Sequence, residues 1–297
     1  MDRRRALLVD AFTTDPLAGN PAGVIPDAAG LDAEQMAAIA GELGASETAF
    51  VTESGAADRR FRYFTPAGEI DLCGHATIAT HAHLFAEGAI EAGTHAVKTN
   101  ADVLEVEVDS DGVVRMAMGT PTVREVDAGP TRIATALGID AGAIITDELP
   151  IAVASTGLAY LIVPVDYLST LGGMSPDYDA VESLAAEFDA TGVYAFTFDT
   201  LDRESTLHGR MFAPGEGIPE DPVTGTASGA AGAYLRFADA FEEMPEEMTF
   251  EQGHYVDRPG RVRVQVGTEI RVGGEAVTSL DGELAVPEGD DEEIIEA

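Results

Sequence analysis

The stretch "RYFTPAGEIDLCGHAT", residues 62–77, returns in altered form as "RMFAPGEGIPEDPVTG", residues 210–225. Three identities share one separation of 148 residues (210 − 62), about half of the 297-residue chain, and a helix-like run follows both segments. The identities are Arg62 with Arg210, Phe64 with Phe212 and Pro66 with Pro214. A constant separation of this size predicts an internal duplication.

The same separation sets Cys73, the only cysteine of the chain, against Asp221. A shorter match, the "AF" pairs that begin at Ala49 and Ala195, falls at a separation of 146 (195 − 49) and favours the same duplication. The boundary between the halves is predicted in "GTPTVREVDAGP", residues 119–130.

Both repeated segments lead into runs, residues 74–88 and 224–238, that are small or apolar on nearly every face. A helix without a polar face must be covered all round, so each run is predicted to be a helix wrapped by a sheet. Most strand-like runs are joined by turns rather than by crossover helices, which favours mainly antiparallel sheets. The predicted fold is therefore α/β, of the α+β kind: two similar lobes related by pseudo-twofold symmetry, each a mainly antiparallel sheet around a central helix.

The predicted division is an N-terminal lobe, residues 1–120, and a C-terminal lobe, residues 121–286, whose last strand is free to return to the first lobe. Residues 287–297, "PEGDDEEIIEA", are predicted to form a solvated acidic tail. Three further helices are predicted over residues 32–43, 131–137 and 176–188; the first has a capping box at Asp32 and Gln35 and a stop at Gly44.

Acidic residues dominate the charge: 53 Asp and Glu against 17 Lys and Arg give a net charge of −36, and Lys98 is the only lysine. One interpretation is a basic partner. Because the acids are spread along the whole chain, the favoured interpretation is a halophilic surface suited to molar salt, where repulsion is screened within about 3 Å. Nucleic-acid binding is not expected, because phosphate neutralisation requires a basic patch.

No apolar run approaches the roughly 18 residues that span a bilayer, so no membrane partner is expected. A single cysteine leaves no internal disulfide framework and fits a reducing compartment, which predicts a cytoplasmic protein. The start "MDRRRALLVDAF" is interpreted as an opening strand rather than as a signal peptide.

Two similar lobes are expected to bring the starts of their central helices to one cleft. These starts are rich in small residues, with Gly74 in one half and Gly225 and Thr226 in the other. Free backbone N–H groups and the positive end of the helix dipole bind carboxylates. The layout therefore suits the movement of a proton on a carboxylate substrate.

Four side chains are candidates for this chemistry. Glu47, at the start of an otherwise apolar strand, is either an enclosed general base or an ordinary acid at a strand end. Asp221 either takes part in the site or caps the helix that follows. His75 either hydrogen-bonds a substrate or caps its helix, and Cys73 is either a thiol whose pKa the helix start lowers or a small residue in a tight turn.

Signals for metals and cofactors are weak. His81 and His83 point to opposite sides of a helix, and no Cys/His set has zinc spacing. No glycine pattern matches a dinucleotide fingerprint or a P-loop. The sequence therefore predicts no metal and no cofactor.

The chain resembles the phenazine-biosynthesis PhzF-like family, within the diaminopimelate-epimerase-like superfamily. The matching motifs run in order from residue 10 to about residue 263, and "CGHAT" together with "EDPVTG" at this spacing is highly specific. The motifs are "DAFTTDPLAGNPAGVI", "ASETAFV", "RYFTPAGEIDLCGHATIATHAHLF", "STGLAYLIVPV", "HGRMFAPGEGIPEDPVTGTASG" and "EQGHYVDRPGRVRV".

This resemblance implies cofactor-free acid–base chemistry, typified by the isomerisation of trans-2,3-dihydro-3-hydroxyanthranilate, in which a glutamate moves a proton between two ring carbons. On the matching motifs the glutamate is Glu47, and the family's site histidine and aspartate fall on His75 and Asp221. The implied substrate-binding positions are Asn20, Ser46, Cys73, Gly74, Gly225 and Thr226. Family members are commonly homodimers, which implies a homodimer here.

Thr226 departs from the family's usual "TGSA", and its methyl group is expected to narrow the pocket, so the identity of the substrate does not transfer. Three hypotheses follow: an isomerase with Glu47 as proton shuttle, an amino-acid epimerase or racemase that uses Cys73 and Asp221, and a small-molecule-binding protein that has lost catalysis. The epimerase is less favoured than the isomerase, because cysteine-pair epimerases have thiols at both mirrored positions.

Overall fold

The computed structural model describes residues 2–287, and within that range it has eighteen strands and six α-helices. The strands are β1 (Arg3–Ala11), β2 (Asn20–Ile25), β3 (Glu47–Thr52), β4 (Arg59–Thr65), β5 (Gly68–Ile70), β6 (Gly93–Lys98), β7 (Val103–Val108), β8 (Val114–Ala117), β9 (Thr122–Glu125), β10 (Ala152–Ser155), β11 (Ala159–Pro164), β12 (Gly192–Thr197), β13 (Leu207–Ala213), β14 (Ile218–Asp221), β15 (Met248–Gln252), β16 (Gly260–Val266), β17 (Ile270–Gly274) and β18 (Ala276–Ala285). The helices are α1 (Ala33–Leu43), α2 (Gly74–Ala86), α3 (Pro130–Leu137), α4 (Leu168–Gly172), α5 (Tyr178–Glu187) and α6 (Gly225–Phe237). Apart from Pro287, the predicted acidic tail lies outside the described residues.

The strands of the first lobe pair in the order β18–β1–β2–β3–β4–β6–β7–β8, and β5 forms a hairpin with β4. The pairs β2–β3 and β4–β6 are parallel, and the others are antiparallel. This sheet curls around α2, which contacts β18 and β1 at one end of the order and β8 at the other. Nine of the thirteen residues of α2 are buried, as expected for a helix without a polar face.

The second lobe repeats this arrangement in the order β9–β10–β11–β12–β13–β15–β16–β17, with β14 as the hairpin strand and α6 at the centre. Its parallel pairs, β11–β12 and β13–β15, are the equivalents of those in the first lobe. Antiparallel pairing of β8 with β17 joins the two sheets. The predicted fold, two similar lobes each wrapped around a central helix, is confirmed.

In each lobe, one strand of the sheet is joined along the chain to a strand of the other lobe. The chain passes from β8 in the first lobe to β9, which pairs with β10 of the second lobe. It returns from β17 in the second lobe to β18, which pairs with β1 of the first. The last strand therefore belongs to the sheet of the first lobe, and two crossings hold the lobes on either side of one cleft.

The remaining helices cover the outer faces of the sheets. The capping box at Asp32 and Gln35 is present at the start of α1, and Gly44 ends that helix with φ 68°. The other two predicted helices correspond to α3 and α5, which pack on the second sheet. Because this sheet is covered on both faces, β12 and β13 are buried at every position.

Two equivalent ion pairs define how the lobes correspond. Arg62 donates to both carboxylate oxygens of Glu69, each at 2.7 Å, and Arg210 donates to those of Glu220 at 2.9 and 2.7 Å. Each guanidinium also lies over the phenylalanine two residues further along its strand. The separation between equivalent residues is therefore 148 before the hairpin turn and 151 after it (220 − 69), because the second turn is three residues longer.

This change of separation corrects the alignment of Cys73. Cys73 and Thr224 are the residues that precede α2 and α6, so they are equivalents. Asp221 corresponds instead to Ile70, since each lies in the hairpin strand of its lobe one residue after the paired glutamate. The predicted equivalence of Cys73 and Asp221 is wrong, because a constant separation ignored the longer turn.

The shorter "AF" match is also out of register. Phe50 pairs with Arg62 in the first lobe, but the residue that pairs with Arg210 in the second is Ala195 rather than Phe196. A shift of one residue reverses the direction of side chains in a strand. The duplication is supported by the matching topology and ion pairs, and this match was a coincidence.

Candidate active site

A cavity of about 460 Å³ lies between the lobes at the starts of α2 and α6, and its volume suits a small molecule. The structure brings all nine residues that the sequence indicated for the site to the lining of this cavity. They are Asn20, Ser46, Glu47, Cys73, Gly74, His75, Asp221, Gly225 and Thr226.

The two central helices begin at the cavity, and no side chain among residues 2–287 caps the start of either helix. Cys73 precedes α2 and Thr224 precedes α6, and neither side chain accepts a hydrogen bond from its helix. Gly74 and Gly225, the first residue of each helix, both line the cavity. The backbone N–H groups of these first turns therefore form a site suited to an anionic group.

Glu47 and His75 lie side by side in the first lobe. The Oε2 atom of Glu47 is 3.5 Å from Nε2 of His75, with the two side chains 19% and 13% exposed. This Oε2 atom is buried and has no hydrogen-bond partner among the described residues. Burial lowers the pKa of His75 although the charge of Glu47 opposes this, so the imidazole is neutral at pH 7.

Asp221 reaches the cavity from the second lobe and is held by two donors. Its Oδ1 accepts a hydrogen bond from Nδ2 of Asn20 at 3.0 Å, and its Oδ2 accepts from the hydroxyl of Thr224. Burial, together with the charge of Glu47, raises the pKa of Asp221 to about 7 against the opposing effect of the hydrogen bonds from Thr224 and Asn20. Asp221 is therefore divided between its protonated and ionised forms near neutral pH.

Gln252, which the sequence reasoning missed, orients Thr224. Its Oε1 accepts from the backbone N–H of Thr224 at 3.2 Å, and its Nε2 donates to Oγ1 of Thr224 at 3.1 Å and to the carbonyl of Asp221 at 2.9 Å. Because Oγ1 accepts the hydrogen of Gln252, its own hydrogen is directed to the carboxyl group of Asp221. The only signal in the sequence was that Gln252 lies in the motif "EQGHYVDRPGRVRV".

Tyr160 supports the start of α6 and was also missed. Its hydroxyl lies 2.8 Å from Oγ1 of Thr226, and the ring is almost fully buried. Burial raises the pKa of this phenol, so Tyr160 is neutral and serves as a hydrogen-bonding group. Thr226 and the serine usual in the family both carry a hydroxyl group, and in this protein that hydroxyl contacts Tyr160.

Cys73 is a buried neighbour of His75. Its Sγ lies 3.4 Å from Nδ1 and 4.0 Å from Nε2 of that imidazole, and the residue is 7% exposed. Burial and the charge of Glu47 raise the pKa of the thiol well above its ordinary value. Of the two alternatives for Cys73, a thiol with a lowered pKa is not supported, because loss of solvation outweighs the effect of the helix start.

The remaining lining of the cavity is mostly apolar. It includes three methionines and several aliphatic side chains, which in a sequence are indistinguishable from core residues. They are Ile70, Leu72, Met116, Met118, Leu158, Met211, Ala213, Ile218, Val223 and Val272. Among the described residues no Lys or Arg lines the cavity, so an anionic group there depends on the helix starts and hydroxyl groups.

Glu47, Cys73 and His75 also form a set of potential metal ligands. One ligand atom from each lies within 4.8 Å of the others, the only such group of three found in residues 2–287. Sequence spacing did not indicate this set, because Glu47 begins β3 whereas Cys73 and His75 belong to the start of α2. Within the same range, no helix is long and apolar enough to cross a membrane.

Comparisons with known proteins agree on the family. The sequence profile of the phenazine biosynthesis-like (PhzC–PhzF) proteins matches residues 9–282. YfhB of Bacillus subtilis, described as an uncharacterized isomerase, is 36% identical over 292 residues, which cover 95% of this chain and 96% of YfhB.

Solved structures extend this agreement to the fold. The PhzF-family phenazine biosynthesis protein of Bacillus anthracis superimposes with a TM-score of 0.88 at 34% identity, covering 96% of this chain and 100% of that protein. A hydroxyproline epimerase from Agrobacterium vitis shares the fold alone, with a TM-score of 0.59 at 15% identity and coverage of 96% and 91%. The chain therefore belongs to the PhzC–PhzF phenazine biosynthesis-like family and is a PhzF-like isomerase.

Proposed function

We propose that this isomerase moves a proton within a small carboxylate-bearing substrate by acid–base catalysis, without a cofactor, and that Glu47 carries the proton. The observation that carries the proposal is the pairing of Glu47 with His75. The Oε2 atom of Glu47 is unpartnered, 3.5 Å from Nε2 of His75, at the wall of a cavity that two helix starts share.

The carboxylate of the substrate is proposed to bind at the helix starts. Gly74 and Gly225 present backbone at the cavity, and no Lys or Arg among the described residues lines it. Helix N-termini attract anions through free N–H groups and the helix dipole. This placement leaves the apolar lining for the rest of the substrate.

Glu47 is proposed to take a proton from one carbon and return it to another. The electrons of the broken C–H bond shift along the conjugated system of the substrate, and a new C–H bond forms at the second carbon. Glu47 is protonated only between the two steps, so no proton is gained or lost overall. The neutral His75, whose Nε2 lies 3.5 Å from Oε2 of Glu47, is placed to hydrogen-bond the carboxyl group as the proton moves.

Asp221 is proposed to support the reaction from the second lobe. With a pKa of about 7, its protonated form donates a hydrogen bond to charge that develops on the substrate. Thr224 and Asn20 keep its carboxyl group in a fixed orientation. The two acids therefore have separate roles on separate lobes.

The epimerase alternative is less well supported. In cysteine-pair epimerases both mirrored positions are thiols, but the equivalent of Cys73 is Thr224, which cannot act as an acid–base group at neutral pH. Cys73 would have to act with Asp221 from a non-equivalent position. The raised pKa of Cys73 also opposes a role as base.

Solvent deuterium incorporation into a panel of small unsaturated carboxylates tests the proposal, with wild type, Glu47→Gln and Cys73→Ala compared. We expect Glu47→Gln to lower exchange by about 10²- to 10⁴-fold, the range of general-base catalysis, and Cys73→Ala to retain most of it. Loss with Cys73→Ala alone would favour the epimerase, and binding without exchange in wild type would favour a non-catalytic protein. Homodimer formation, a cytoplasmic location and adaptation to molar salt stay predictions.

A further inference from the structure

We propose that Glu47, Cys73 and His75 bind one thiophilic divalent cation, Zn²⁺, and that occupancy of this site blocks isomerisation. The blocking part rests on the proposed role of Glu47, whereas the binding part rests on the geometry alone. The three side chains provide a carboxylate oxygen, a sulfur and an imidazole nitrogen, which are the three ligand types that Zn²⁺ takes in proteins.

The three ligand atoms lie within 4.8 Å of one another, close enough for one ion once the side chains draw together. The Nε2 atom of His75 lies 3.5 Å from Oε2 of Glu47 and 4.0 Å from Sγ of Cys73. Zn–N and Zn–O bonds of about 2.0 to 2.2 Å and Zn–S bonds of about 2.3 Å place tetrahedral ligands roughly 3.3 to 3.6 Å apart. Because Sγ lies nearer Nδ1 (3.4 Å) than Nε2, the Cys73 side chain must adopt a different rotamer to reach an ion bound at Nε2.

Glu47 has an oxygen available for this purpose. Its Oε2 atom is buried and accepts no hydrogen bond from any described residue. An unsatisfied carboxylate oxygen in a buried position is costly, and a metal ion or a substrate group relieves that cost. The same atom therefore serves either a cation or the reaction, but not both together.

The cavity provides access and a favourable charge. Three acidic residues line the cavity: Glu47, which is itself a proposed ligand, Glu216 and Asp221. Within the described chain no Lys or Arg lines it. An ion that enters the cavity meets three protein ligands and keeps a fourth position for water. Three ligands with one open position are typical of zinc sites that exchange their fourth ligand.

Binding requires one proton to leave. The thiol of Cys73 loses its proton to solvent as the Zn–S bond forms, and the charge of the ion compensates for the burial that otherwise keeps the thiol protonated. His75 is already neutral and offers a nitrogen lone pair. With its carboxylate bound to the ion, Glu47 no longer takes a proton from carbon, so Zn²⁺ inhibits.

Cobalt absorption spectroscopy tests the site without knowledge of the substrate. The full-length protein is freed of metal with a chelator and titrated with Co²⁺, which replaces Zn²⁺ and gives a near-ultraviolet band when a thiolate is bound to it. Since Cys73 is the only cysteine, this band reports one residue, and Co²⁺ bound loosely by the many surface carboxylates does not contribute to it. Zn²⁺ added afterwards is expected to remove the band.

Variants identify the other two ligands. We expect Cys73→Ser to abolish the band, and Glu47→Gln and His75→Asn each to weaken Co²⁺ binding by at least about tenfold. The matched control is His95→Asn, since His95 lies outside the cavity and bonds the carbonyl of Glu91. Circular dichroism verifies that each variant is folded.

Two results would overturn the inference: no thiolate band in folded wild-type protein, or a band of equal affinity in Glu47→Gln and His75→Asn. Either result leaves the deuterium-exchange test of the isomerase untouched. Conversely, a thiolate band together with exchange that does not depend on Glu47 would retain the metal site and reject the proposed mechanism. Exchange that persists with Zn²⁺ at saturation would reject inhibition.

Discussion

Asp221 of the second lobe occupies the position that Ile70 occupies in the first, one residue after the glutamate of an equivalent arginine–glutamate pair. In the same way Glu47 begins β3 where Gly192 begins β12. The duplication thus produced two alike helix starts, but each lobe carries one acid that the other lacks. This asymmetry allows the two acids to be tested separately.

The pKa of Asp221, about 7 in the folded protein against an ordinary 3.8, predicts a pH-dependent stability. The folded state binds this proton more tightly, so the free energy of unfolding falls as pH rises from about 4 to about 7, by at most about 1.4 kcal/mol per pH unit. Asp221→Asn is neutral at every pH and removes this part of the slope. In urea denaturation from pH 4 to 8, the free energy of unfolding of the variant should increase relative to that of wild type as pH rises. If the two free energies change in parallel with pH, the raised pKa is contradicted.

Asn20→Ala is expected to weaken the link between the lobes. It leaves the carbonyl of Val223 without its donor, at a cost of about 1 to 3 kcal/mol of unfolding free energy, and raises the pKa of Asp221 further. Denaturation and a carboxyl ¹³C NMR titration measure the two effects. Asn100→Ala, which removes an exposed Asn–carboxylate bond to Glu69, is the control and should change neither. An equal loss in both variants would argue against a special role for Asn20.

Thr226 offers a test of pocket width separate from hydrogen bonding. Thr226→Ser keeps the hydroxyl that contacts Tyr160 and is expected to change stability by less than about 1 kcal/mol while admitting bulkier carboxylates. Thr226→Val keeps the width of the pocket but leaves the hydroxyl of Tyr160 without its hydrogen-bond partner. This should lower the free energy of unfolding by about 1 to 3 kcal/mol. In a Tyr160→Phe background the cost of Thr226→Val should shrink. Full cost in that background would show that the hydrogen bond is not responsible.

The two equivalent arginines are expected to differ in energy although their ion pairs match. The pair of Arg210 is 7% and 9% exposed, and Arg210 also donates to two backbone carbonyls, whereas the pair of Arg62 is 20% and 28% exposed. Arg210→Met should cost about 3 to 5 kcal/mol, because it leaves a buried carboxylate unpaired. Arg62→Met should cost about 1 kcal/mol or less. Denaturation of both variants at one pH makes the comparison, and equal costs would refute the role of burial.

The net charge of −36 predicts a strong dependence of stability on salt. Raising KCl from about 0.1 to 2 M shortens the screening length from about 10 Å to below 3 Å and relieves repulsion between acids, so Tm should rise. Differential scanning calorimetry measures this, with sorbitol at equal osmolality as the control. A Tm that is the same in both salt concentrations would reject adaptation to molar salt.

Strong local patterns were enough to predict several elements. Capping residues and a stop glycine defined α1, and the absence of a polar face identified α2 and α6 as enclosed helices. By contrast β2, "NPAGVI", and β10, "AVAS", carry little strand signal, because proline, glycine and alanine have low β-propensity. Their pairing depends on neighbours that are distant in the chain.

The sequence by itself determined the duplication, the two enclosed helices and the residue types of the site, because repeats and periodicity are properties of the chain alone. Only the tertiary structure decided which residues are equivalent, since a turn three residues longer shifts Cys73 onto Thr224. It also brought Glu47 to His75 and Cys73, and Gln252 to Thr224. Those contacts arise because strand pairing and helix packing join segments that no local pattern connects.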